Sequence, residues 1–127
     1  MAIPSGSGTE VLRNGGWSTQ STDVTSFNLR AGNPTLGEET DTVFTNHIIT
    51  MSMISWAETA GAAEQFHLYA TCDSKLVWLL LYQDIAAYDT FVWNTKFVLI
   101  GGDWLKTNTA SGADIDIIYS YLDQDWS

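Results

Sequence analysis

The sequence predicts an all-β protein. It reads as an antiparallel β-sandwich of about eight strands, with a jelly-roll-like order among the topologies open to it and an extended N-terminal arm in front. Three observations lead there. Apolar residues recur with period two over short segments at near-regular spacing. Gly, Pro, Asn and Asp cluster between those segments. No stretch keeps the 3.6-residue apolar period of an amphipathic helix.

Residues 1–22 form the arm. They hold Gly6, Gly8, Gly15 and Gly16, many Ser and Thr, and four spaced apolar residues, Ile3, Val11, Leu12 and Trp17. A solvated tail has little use for an indole, so these four are read as anchors of an arm that grips a partner. Residues 23–127 form the sandwich. Its first strand, 24–30, puts Phe27 and Leu29 on one face. A loop follows over 31–41, signalled by Gly32, Pro34 and Gly37. Residues 43–56, rich in Ile, Thr and Met, read as one long, bent strand. A turn around Gly61 leads to 64–72, where Phe66, Leu68, Ala70 and Cys72 face one way and Gln65, His67, Tyr69 and Thr71 the other. Cys72 is thereby expected in the core. Residues 73–75 turn the chain into 76–82, and 83–89 are a loop, with room for a helical turn over 84–89. Short strands follow at 90–94 and 96–100. Gly101-Gly102 fits a two-residue hairpin in which both residues take positive φ. The last strands are 103–108 and 114–122, the latter alternating Asp114 and Asp116 with Ile115, Ile117, Tyr119 and Tyr121.

The informative feature is where alternation fails. Strand 76–82 is apolar on both faces, with Leu76, Trp78, Leu80 and Tyr82 on one and Val77, Leu79 and Leu81 on the other. Residues 97–100 behave the same way, and 91–93 nearly so. A two-layer sandwich covers only one face of each strand, and a bare apolar second face is an aggregation hazard. Another subunit covering it is the simplest remedy. Val77, Leu79, Leu81, Phe91 and Trp93 are therefore candidate oligomer-interface residues.

Composition narrows the function. The 127 residues carry 5 Lys and Arg against 15 Asp and Glu, a formal net charge of -10. So few cations cannot build a phosphate-binding patch, and the charge opposes both nucleic acid and an anionic membrane surface. The single cysteine, Cys72, cannot close a disulfide within the chain. The N-terminus lacks the basic and apolar regions of a signal peptide, and the longest apolar run, 76–82, falls far short of the about 20 residues that span a bilayer. The expected site of synthesis is a cytoplasm. Enzyme constellations are thin, and no catalytic residue, cofactor or metal is assigned. His47 and His67 read as ordinary strand histidines. The Asp114/Asp116 and Asp123/Asp125 pairs read as a solvated outer face, because the calcium-loop pattern around them is missing. Six Trp suit either an interface or a sugar-stacking platform.

Three segments carry a resemblance. The opening 1–12 is Met-Ala-Ile-Pro-Ser-Gly-Ser-Gly-Thr-Glu-Val-Leu. The middle 55–68 is Ser-Trp-Ala-Glu-Thr-Ala-Gly-Ala-Ala-Glu-Gln-Phe-His-Leu. The third part joins 90–99, 101–105 and 113–121. Together they resemble small β-sandwich virion structural proteins of tailed bacteriophages, of the capsid decoration or cement type. The resemblance implies a non-enzymatic protein that forms homotrimers. It implies attachment to the major capsid protein, on the outer surface of the head at capsomer junctions, where it would stabilise the shell. Two other roles stay open: a neck, tail or fibre component, and a carbohydrate-binding module using exposed Trp and Asp.

Overall fold

A computed structural model describes residues 9–20, 25–27, 29, 42–109 and 114–126. Among them are nine strands and no helix: β1 (Thr9–Gln20), β2 (Thr25–Ser26), β3 (His47–Glu58), β4 (Glu64–Cys72), β5 (Lys75–Ile85), β6 (Thr90–Trp93), β7 (Phe97–Ile100), β8 (Leu105–Thr109) and β9 (Ile115–Asp125). They form two antiparallel sheets. The larger runs β1-β9-β3-β6, with β7 also on β3, and the smaller runs β2-β8-β4-β5. β7 pairs with Ile48 to Met51 and β6 with Ile54 to Ala57, so the two lie head to tail along one edge of β3. Counted as one interrupted strand, they bring the total to the expected eight. Pairing then joins first with last (β1/β9), second with seventh (β2/β8), third with sixth (β3/β6–β7) and fourth with fifth (β4/β5). That is one long antiparallel ribbon rolled into two layers, the jelly roll.

The core lies between the sheets. The predicted alternation of β4 buries Phe66, Leu68 and Ala70, and that of β9 buries Ile115, Ile117, Tyr119 and Tyr121. Phe27 and Leu29 are buried as their spacing predicts. Trp56 stacks on Phe66 with centroids 4.5 Å apart, and Phe91 packs against both rings. The two sheets are also tied by polar atoms. Trp56 Nε1 donates to Thr107 Oγ1 at 3.2 Å, and that hydroxyl donates to the His67 carbonyl at 2.7 Å. A buried indole N–H without such an acceptor would be costly.

Several expectations need correcting. Cys72 is exposed, because the β4 pattern runs out at the β4–β5 turn. That turn is made by Asp73 and Ser74, both at positive φ (53° and 61°), the two-residue geometry that matches strand twist. Gly101-Gly102 is not a hairpin, since β7 pairs in one sheet and β8 in the other. Only Gly102 has positive φ (92°), and the Asp103 N–H donates to the Ile100 carbonyl at 2.9 Å, as in a type II turn that hands the chain across the layers. Residues 86–89 close one turn, Asp89 N–H to Ala86 carbonyl, and not a helical one. The bend expected in the long Ile-rich strand is a bulge at Ser52, between Met51 and Met53. Of the expected arm, residues 1–8 lie outside the described residues. Thr9–Gln20 is extended, and it pairs with β9 in the protein's own sheet.

Candidate functional site

Strand alternation and register decide which side chains leave the core. On the larger sheet the outward positions form rows across four strands. One row is Leu12, Leu122, Thr50 and Val98, and another is Gly16, Ile118, Ser55 and Val92. Leu12 is 73% exposed, Val98 54%, Ile118 51% and Val92 51%. Ile48 and Ile100 extend the aliphatic area beside them, half-buried. Within the described strands of this face the only charged residues are Glu10 and Asp116, at opposite ends. Glu10 already accepts a hydrogen bond from Gln124 Nε2 at 2.8 Å. A chain of net charge -10 has thus kept one whole face nearly free of charge.

The smaller sheet presents a different chemistry. Here the outward residues of β4 are Gln65, His67, Tyr69 and Thr71, as the alternation predicts. β8 adds Trp104, just before its first residue, then Lys106 and Asn108, and β5 adds Leu76, Trp78, Tyr82 and Asp84. Five rings touch in a chain. Trp104 meets Tyr69 edge-on at 5.7 Å, and Tyr69 meets Trp78 at 4.7 Å. Trp78 meets His67 at 5.7 Å, and His67 meets Tyr82 at 4.7 Å. Lys106 Nζ sits 4.3 Å from the Trp104 centroid, a cation–π contact. The Tyr82 backbone, at φ 53°, donates its N–H to His67 Nδ1 at 3.0 Å. This holds a local irregularity of β5 in place. Partial burial raises the Tyr69 phenol above its ordinary value.

The sequence reading placed His67 and Tyr69 on the outward face of their strand but did not join them to Trp78. A signal was available. Counting back from the two-residue turn pairs Cys72 with Lys75 and Tyr69 with Trp78.

The interface candidates divide. Val77 and Leu81 are exposed on β5, the outer strand of its sheet, and Leu79 packs partly against the core. Phe91 and Trp93 point inward and pack on the core, so Val92 between them faces out. Of the arm candidates, Leu12 points outward, while Val11 stands opposite Asp123 on the inward side. Ile3 lies outside the described residues, and for Trp17 only the backbone, paired with Ile117, is described.

The Asp123/Asp125 reading as a solvated outer face does not hold. Asp123 faces inward and is buried. Its carboxylate accepts from Arg13 Nε at 3.1 Å and pairs with His47 Nδ1 at 2.8 Å, while His47 Nε2 lies 3.5 Å from Asp125. Burial of an acid demands such partners. The cluster ties β1, β3 and β9 together at one end of the sandwich. Among the described residues no group of three or more His, Cys, Asp or Glu is placed to hold a metal ion.

No protein-family model and no curated protein matches the chain. Solved structures do. One is of Bacillus endospore appendages, described as a family of disulfide-linked pili, with TM-score 0.54 at 8% identity, covering 100% of this chain and 97% of that one. Another is the globular domain of zebrafish complement 1qA protein, with TM-score 0.45 at 19% identity, covering 96% and 95%. A third is infectious bursal disease virus, Gx strain, with TM-score 0.41 at 9% identity, covering 92% of this chain and 34% of that one. At such identities the first likeness concerns the fold alone.

Proposed function

We propose that the protein is a non-enzymatic structural component of a virion, a capsid decoration protein. It forms a homotrimer and binds the major capsid protein on the outside of the head. The observation that carries this reading is the outward face of the larger sheet, charged only at its ends, where Leu12, Ile118, Val98 and Val92 are exposed. Exposed aliphatic side chains gathered on one sheet face, with the polar Asn14, Thr50, Ser55 and Ser120 among them, mark an interaction site. The phage assignment itself is supported by the resemblance of the opening, middle and C-terminal segments. The charge agrees with it: a chain of net charge -10 is repelled by packaged DNA and suits the outer surface.

The mechanism is mass action. A protein that binds only the intact shell stabilises it by RT ln(1 + [L]/Kd) at each site, about 2.7 kcal/mol at a hundredfold excess over Kd. Repetition over many sites multiplies that term. Heads assembled without this chain should therefore lose their DNA at a lower temperature, and adding the purified protein should restore the loss. Equal thermal release with and without it would refute the decoration role.

A further inference from the structure

The aromatic platform on the smaller sheet is chemically unlike the aliphatic face behind it, and the proposed assembly role does not use it. Tyr82 is 65% exposed and Trp78 46%. The rings brace one another at 4.7–5.7 Å and at interplanar angles from 42° to 89°, so their planes are set before any ligand arrives. Hydrogen-bonding groups alternate with them. Lys106 stands opposite Tyr69, Asn108 opposite His67, and Asp84 opposite Gln65, to which it is bonded at 2.8 Å. Within the described strands the platform carries one acid and one ammonium, so it offers no net charge to an ion. A phosphate-bearing ligand would meet the repulsion of the whole chain.

A surface with rigid π faces, a fringe of amide, carboxylate and ammonium groups, and electrical balance matches one ligand chemistry. The C–H face of a pyranose ring is weakly positive and lies on the negative face of an indole or phenol, while its hydroxyls reach the fringe. A second copy of this chain would be expected on aliphatic surface instead, which is what the opposite sheet supplies. We propose that this face is a binding site for neutral oligosaccharides, with Trp78 as the principal stacking ring. Tyr69 and His67 flank Trp78, Tyr82 extends the surface beyond His67, and Asp84, Gln65 and Lys106 meet the sugar hydroxyls.

The test is a titration of the full chain with a panel of neutral hexasaccharides of glucose, mannose, galactose and N-acetylglucosamine. Tryptophan fluorescence and calorimetry both read it. At least one should bind, with affinity reduced tenfold or more by Trp78→Ala. Tyr82→Asn, which keeps a residue tolerant of positive φ, should also weaken binding while the thermal transition stays near that of the parent. Silence across the panel would overturn the proposal. So would binding that both variants leave intact. A fluorescence change that follows protein dilution and disappears in Trp78→Ala would assign the platform to a second copy instead. None of these outcomes depends on the decoration role, which the head-release experiment tests separately.

Discussion

Two buried acids, Glu58 and Asp103, show how hydrogen bonds decide whether the upward push of burial on a carboxyl prevails. Glu58 Oε2 accepts the N–H groups of Tyr88 and Gly61, each at 2.9 Å, and Oε1 accepts that of Ala60 at 2.7 Å. The Tyr88 amide above all, with Ala60 and Gly61, holds Glu58 below its ordinary value against the opposing effect of burial. Its contribution to stability is complete above the ordinary glutamate range and is lost as pH falls through the lowered value. Asp103 is the reverse case. Burial raises its carboxyl, the nearby Asp73 adds to this, and the Ile100 N–H bonded at 3.1 Å offsets only part. A raised acid binds its proton more tightly when folded, so stability falls as pH climbs through the raised value. Asp103→Asn keeps an oxygen for the Ile100 N–H and removes the buried charge. It should raise Tm at about pH 7 and leave it nearly unchanged at about pH 3, as scanning calorimetry would read. A loss of Tm at about pH 7 with none at about pH 3 would show instead that the charge itself is needed. Neither carboxylate stood out in the sequence, because their partners are backbone groups brought in by turns.

β1 is the element whose role the sequence concealed. Its Gly-rich, Ser/Thr-rich composition reads as an arm, yet ten residue pairs, from Thr9↔Asp125 to Gln20↔Ile115, join it to β9. The glycines are the reason the composition misleads. A Cβ on Gly15 would lie 2.4 Å from the Tyr119 hydroxyl, so glycine there admits a buried ring, and chain freedom is not its purpose. Gly15→Val should destabilise the fold by about 1–3 kcal/mol, since Tyr119 is packed and cannot yield freely. Urea denaturation measures it, and a neutral result would mean that β1 does not hold its register. β9 was legible as far as Leu122, because Ile115, Ile117, Tyr119 and Tyr121 alternate without interruption, but its last turn inward at Asp123 was not. The double-faced reading of β5 finds Val77 and Leu81 exposed, while Leu80 packs on the core across from Leu68. It failed for Phe91 and Trp93, where one-residue alternation in a four-residue strand sends Val92 outward instead.

At the scale of the molecule, the class of fold was readable and its strand order was not. Period two and turn spacing are local, whereas β1 beside β9 joins residues more than a hundred positions apart, and no local signal encodes that. The two outward faces follow from the same pairings. The larger sheet gathers aliphatic positions from β1, β9, β3, β6 and β7 into one surface, and the smaller gathers rings from β4, β5 and β8. The central claim is that the aliphatic face is an assembly surface. Light scattering with mass determination tests it most directly, on the full chain and on Ile118→Lys. Ile118 is half exposed, so the lysine leaves the core intact. The account predicts a discrete homo-oligomer for the parent and a folded monomer for Ile118→Lys. A parent that remains a monomer at every concentration, or an oligomer that the lysine leaves unchanged, would contradict it.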